Sequence, residues 1–281
     1  MPHVRLRPSH PVSTFRRIAT AAWGPPCDPT VYGSVELDAT PVLAYLESLR
    51  EQGVRATVTH VVGRALAIVL AEHPELNVLI RLGRFQRRED VDILFQVALH
   101  GDAGDPAEPD LSAIVLRKVD EKSVAQIADE FAERTASVRA DRDVEMASLR
   151  HRMGWIPPLL LRPLQRLLDF VQYTLNLHIP GLPRDAFGSA MVTNVGMFGI
   201  THAYAPLFPP SHCPVVLLVG AITRQPWVVG DGPDERIEIR PVLPLHATID
   251  HRVLDGVQAA RISARLRELL TRPSLLDGDA V

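Results

Sequence analysis

Residues Thr57 to Glu72 constrain this chain most. Val58, Val61, Val62, Ala65, Leu66, Val69 and Leu70 recur at helical spacing, and His73-Pro74 stops the run. A helix with so wide an apolar stripe needs other elements to cover it. The flanking sequence supplies them. Val31 to Asp38, VYGSVELD, alternates as a strand does, and Thr40 reads as the N-cap of a helix with Pro41 at its first position, running to Glu51 and ended by Gly53. Asn77 to Arg84 and Asp92 to His100 read as paired strands, with RLGR and GDAGDPAEPD as turn and loop. Ser112 to Lys118 is a further strand. A helix over about Ser123 to Val138, capped by Asp120 or Ser123, sets Val124, Ile127, Ala128 and Phe131 on one face. Strands follow near Ala190 to Asn194, Val215 to Ile222, Trp227 to Val229 and Arg236 to Ile249, and the chain closes with a helix over Gly256 to Leu270. Mixed strands and helices of this kind define an α/β protein.

With 281 residues there is room for one large domain or two small ones. The net charge of -3 provides no basic field for phosphate backbones, so no nucleic-acid partner is expected. Cys27 and Cys213 lack CxxC spacing, which argues against a zinc site or a disulfide framework; no metal is expected, and a reducing cytoplasm fits. The first thirty residues carry arginines and prolines where an export signal needs an unbroken apolar run. The greasiest stretch, Trp155 to Leu182, is interrupted by Arg162, Arg166, Asp169 and several prolines, so it is no simple transmembrane helix. It lies in a Leu- and Pro-rich segment, 140–183. There, Leu164, Leu167, Leu168, Val171 and Leu175 form one helical stripe, read as a core or subunit-contact helix, with a membrane-surface helix or a wall for an apolar substrate as alternatives.

The chemistry-bearing residues gather in two places. In Thr248 to Gly256, TIDHRVLDG, a strand meets a helix at a His-x-x-x-Asp-Gly spacing: His251 offers a base that works near neutral pH, Asp255 a carboxylate to fix local geometry, and Gly256 a tight turn. In Ala190 to Gly199, AMVTNVGMFG, an apolar strand ends in the Thr193-Asn194 pair and then turns at glycine. Met197 and Phe198 read as packing residues, and His202, His212 and His246 as structural or solvent-facing.

Together these segments resemble the catalytic domain of the dihydrolipoamide acyltransferases, the E2 components of 2-oxo acid dehydrogenase complexes, which share the chloramphenicol acetyltransferase-like fold. His251 to Gly256 matches that family's DHRxxDG signature, and Val192 to Gly196 its I-[ST]-N-x-G strand. FRRIATAAW at 15–23, VYGSVELDAT at 31–40, VVGRALAIVLAEHPELN at 61–77, IVLRKVDEKSVAQIADEF at 114–131 and PPSHCPVVLLVGAI at 209–222 continue the resemblance in order, over about four fifths of the chain. Three departures stand out. Residues 1–14, an irregular arm, hold neither a lipoyl nor a subunit-binding domain, so 15–281 is expected to be a single acyltransferase domain with no covalent lipoyl group. Segment 140–183 replaces a short basic stretch, and Thr193 stands where serine is commoner.

The resemblance implies a mixed β-sheet with flanking helices, assembled as a homotrimer or a multiple of three with sites between subunits. In that arrangement His251 of one chain, as general base, faces Thr193 of its neighbour as oxyanion donor, with coenzyme A or acyl-CoA as substrate. Asn194, Gly196 and Gly256 line the substrate, and Asp255 ties the histidine turn to an arginine such as Arg16 or Arg17. The acceptor is a separate lipoyl domain or a small molecule, whose hydroxyl or amine could also serve; the non-enzymatic alternative is a catalytically silent trimeric scaffold or binding module.

Overall fold

The computed structural model describes residues 28–99, 110–139 and 157–277. Its centre is a seven-stranded mixed sheet in the order β1-β9-β7-β6-β4-β5, with β8 also paired to β9. The strands are β1 (Thr30–Asp38), β4 (Ile93–Leu99), β5 (Asp110–Leu116), β6 (Ala190–Asn194), β7 (Val215–Val219), β8 (Thr223–Val229) and β9 (Arg236–Asp250). The β4–β6 and β6–β7 pairings are parallel, and the others antiparallel. Helices α1 (Thr40–Glu51), α2 (Val58–Glu72), α3 (Val124–Arg139) and α5 (Gly256–Thr271) accompany the sheet, and α4 (Pro158–Asp169) comes from the Leu- and Pro-rich segment.

The apolar stripe of α2 becomes the centre of the molecule. Val61, Val62, Leu66 and Leu70 are buried in one cluster with Phe95 of β4, Val192 of β6, Leu217 of β7 and Leu245 of β9. Burial of such side chains contributes about 1.5–3 kcal/mol each. Strand periodicity then sorts β9. Leu243 and Leu245 face this core, while the alternate residues His246, Thr248 and Asp250 are buried on the opposite face. There His246 Nε2 donates to the Thr201 carbonyl at 3.0 Å, and its ring stands edge-on to those of His202 and Tyr204. His246 is thus a buried structural group and His202 is exposed, within the structural or solvent-facing roles the sequence suggests.

Arg64 fastens α2 to the rest of the chain: its guanidinium donates to the carbonyls of Leu276, Val119 and Asp120. Two local expectations fail. The segment at 77–84 does not pair with 92–100; β2 (Val78–Arg81) folds back on β3 (Arg84–Arg87) as a separate hairpin. Leu82 and Gly83 between them both take positive φ, 50° and 72°, the backbone of a two-residue hairpin turn, so the RLGR turn reverses the chain on itself. Nor is Thr40 the N-cap of α1. It is the first helical residue, and Asp38 accepts from its backbone N–H at 2.8 Å. Ser123 does cap α3: its Oγ accepts from Gln126 N while Gln126 Oε1 accepts from Ser123 N.

Helix α4 is not a core helix. Leu159, Leu160, Leu167 and Phe170 are exposed, and no residue of the Leu164, Leu167, Leu168, Val171 and Leu175 stripe is fully buried. Among the described residues, no helix is long and apolar enough to cross a membrane.

Candidate active site

The turn after β9 is wound around one buried carboxylate. Asp250 is 7% exposed; its Oδ1 accepts from Arg252 N at 3.0 Å and Nε at 2.9 Å, and its Oδ2 from Arg252 Nη2 at 2.6 Å. The Asp250 carbonyl takes the N–H groups of Val253 and Leu254, and its own N–H donates to Pro214. A buried charge without such partners would cost several kcal/mol, so the Asp250–Arg252 pair keeps the turn in one shape. His251 is thereby held at the sheet's end, its N–H on the Pro29 carbonyl at 2.9 Å.

Its ring is oriented too. His251 Nδ1 lies 2.6 Å from the Leu254 carbonyl oxygen. A carbonyl can only accept, so Nδ1 is the donor, and in the neutral ring the lone pair is on Nε2. The residue as a whole is exposed at the surface. Asp255 sits at the N-cap of α5: its Oδ1 accepts from Gln258 N and its N–H donates to Gln258 Oε1, both at 2.9 Å. Its carboxylate thus fixes the helix start, which fixes the turn; Arg16 and Arg17 lie outside the described residues. A Cβ on Gly256 would meet nothing within 4 Å, so the fold of one chain does not demand glycine there.

The second segment lies elsewhere. Thr193, 8% exposed, is near the C-terminal end of β6. The amide of Asn194 organises the following turn: Nδ2 donates to Thr59 Oγ1 and Oδ1 accepts from Gly196 N, each at 2.8 Å. Gly196 allows a close backbone approach, since a Cβ there would stand 2.6 Å from the Gly220 oxygen. Met197 and Phe198, read from sequence as packing residues, are instead more than half exposed. No partner within the described chain covers them.

Register shows how the two segments relate. Thr193 is level with Leu218, and Leu218 with His246. His251 is five positions further along the chain than His246, about 16 Å at strand rise, with two strand spacings to cross as well. Base and hydroxyl of one chain therefore stand well apart, too far to act on one group.

Beside the histidine turn opens a cavity of about 330 Å³, lined by Asp250, Arg252 and Val253 of the turn, Tyr32 of β1, and Phe208 and His212. His212 Nε2 is 2.5 Å from Asp169 Oδ1 of α4, and its ring packs on Tyr173, 4.3 Å between centroids. Sequence reading did not find this carboxylate–imidazole pair: its members are 43 positions apart and share no motif. Cys213, beside it, is buried, which pushes its thiol pKa up to about 12 and leaves it protonated and unreactive. Among the described residues no group of three or more His, Cys, Asp or Glu side chains could hold a metal ion.

Comparison with known proteins gives a consistent result. The family described as 2-oxoacid dehydrogenases acyltransferase (catalytic domain) matches residues 26–146 and 185–277. The acetyltransferase component of the Zymomonas mobilis pyruvate dehydrogenase complex is 24% identical over 249 residues, 87% of this chain and 45% of that protein. The chain thus spans about half the length of the curated relatives it matches over most of its length. A probable dihydrolipoamide acetyltransferase from Listeria monocytogenes superposes with a TM-score of 0.62 at 20% identity, covering 98% of this chain and 97% of that one. So does the dihydrolipoamide acetyltransferase of Azotobacter vinelandii, at 0.62, 23% identity and 98% of both chains. That enzyme was studied for the catalytic roles of a serine, a histidine and, four positions after the histidine, an asparagine.

Proposed function

Since the chain belongs to the 2-oxoacid dehydrogenase acyltransferase catalytic-domain family, we propose that it transfers an acyl group between coenzyme A and a thiol, with His251 as base. The observation that carries this reading is the 2.6 Å contact between His251 Nδ1 and the Leu254 carbonyl, which in the neutral ring puts the basic lone pair on Nε2. A free thiol, with a pKa near 8.5, is only a few per cent ionised at pH 7, so a placed base is what the reaction needs. The thiol proton passes to Nε2, and the sulfur attacks the thioester carbonyl carbon. The tetrahedral oxyanion accepts a hydrogen bond from Thr193, and its collapse expels the second thiolate, which recovers the proton from Nε2.

The separation of His251 and Thr193 within one chain favours a site shared between copies, in a homotrimer or a multiple of three. The turn residues Asn194 and Gly196 and the open space at Gly256 are the proposed substrate-contacting positions. The proposed acceptor is a dihydrolipoyl group, as the names of the relatives suggest, carried on a separate domain, or else a small molecule.

Thiol release from acetyl- and succinyl-CoA, against dihydrolipoamide and a panel of small thiols, amines and alcohols, tests the proposal. His251→Ala should lower turnover about 10³-fold with unchanged sedimentation. Comparable turnover in that variant would overturn it.

A further inference from the structure

Between β1 and helices α2 and α5 the core is not filled. A cavity of about 230 Å³ runs there, walled by Leu66 and Leu70 of α2, Leu217 of β7, Ala247 of β9, and Ile262 and Leu266 of α5. Apart from the backbone at Gly33 and the hydroxyls of Ser34 and Ser263, its lining is hydrocarbon. It is not sealed. Ser34 is exposed, and Val35, Ala259, Ile262 and Ser263 are only half-buried, so the space opens along the crevice between the edge strand β1 and α5.

Two of its walls bracket the histidine. Ile249 precedes His251 by two positions on the core-facing side of β9, and Leu254 is the residue whose carbonyl holds the His251 ring. The same segment that presents the base thus forms part of an apolar container. Its size matters, because an apolar cavity of about 150 Å³ suffices to hold benzene, and by that measure this one holds a chain of roughly eight carbons. Water gains little in such a place, since the lining provides few polar partners.

We propose that this crevice binds the alkyl chain of a medium-length acyl group, extending the substrate range of the site beyond acetyl and succinyl groups. The proposal rests on the acyltransferase reading for its substrate and on the cavity alone for its ligand class. An eight-carbon chain would replace empty space with van der Waals contacts along α5, and for transfer its thioester end has to pass Leu254 to reach His251 Nε2.

Ala259→Leu tests it. Ala259 lines the crevice from α5, leucine is a good helix former, and the site is half-buried, so the variant fills the space without disturbing the fold. Two measurements are made on the whole chain. In thermal melts with 1-octanol as probe, the wild-type midpoint should rise and the variant's should not. In thiol release, octanoyl-CoA should be used by the wild type and lose at least tenfold in kcat/KM in the variant, while acetyl-CoA stays within twofold. Ala247→Leu, filling the crevice from β9, should repeat both results. An equal octanol shift in wild type and variants, or octanoyl- and acetyl-CoA affected alike, would overturn the proposal. If neither donor is transferred, the acyltransferase reading and this substrate assignment fall together, and the octanol shift decides whether the crevice binds a chain.

Discussion

His60 shows how a single buried group ties the fold to pH. It lies in the first turn of α2, only 4% exposed, and its Nδ1 accepts the Thr57 N–H at 3.2 Å. Burial disfavours the imidazolium and lowers its pKa to about 4 from an ordinary 6.5. The unfolded chain therefore takes up this proton first as pH falls. Stability from this residue is complete above pH 6.5 and is lost progressively down to about pH 4, by at most about 3 kcal/mol. Urea melts at pH 7 and pH 5 should show this drop in the wild type, and His60→Gln, which keeps an acceptor for the cap, should flatten it. At the candidate site, Thr193→Ala should lower kcat by roughly 10²–10³ with little change in KM, and Thr193→Ser should be mild; a KM effect alone would place Thr193 in binding instead. His251 and Thr193 were readable as candidates because each stands in a contiguous motif. The Asp169–His212 pair was not, because only the tertiary packing of α4 brings its members together.

Elements behave the same way: those whose own pattern decides their fate were legible, and those decided by neighbours were not. The stripe of α2 and the alternation of β1 gave their elements directly. Strand β3, RFQR, is exposed throughout and has no apolar alternation, so only the turn at Leu82-Gly83 reveals it. The stripe of Leu164, Leu167, Leu168, Val171 and Leu175 suggested a core or subunit-contact helix, and the core reading fails because Leu167 and Leu175 are exposed in the chain; periodicity states that a face is apolar, not what covers it. Element ends carry the next prediction. Asp255 caps α5, so Asp255→Ala should cost about 1 kcal/mol, whereas Asp255→Asn, an equally good cap, should leave the melting temperature nearly unchanged. Gly196→Ala should cost more than either, because its new methyl group would strike the Gly220 carbonyl. Circular-dichroism melts of the three variants rank these effects, and a harmless Gly196→Ala would refute the close approach.

At the scale of the whole molecule, strand order is what sequence could not supply. Hydrophobic alternation gives the face a residue points to, but not that β6 lies between β4 and β7, nor that both of those pairings are parallel. That order and its register set Thr193 and His251 well apart in one sheet. Light scattering should accordingly report a trimer or a multiple of three, and an active monomer would remove the shared site. The same placement has a genetic counterpart. If each centre takes its histidine from one polypeptide and its hydroxyl from another, two dead alleles can rescue each other. His251→Ala and Thr193→Ala chains, each slowed about 10²-fold or more on its own, should recover activity when co-expressed or unfolded and refolded together in equal amounts. Random assortment around a closed ring then joins an intact histidine to an intact threonine at about one centre in four. A cell carrying both defective copies would keep a working enzyme that neither copy encodes.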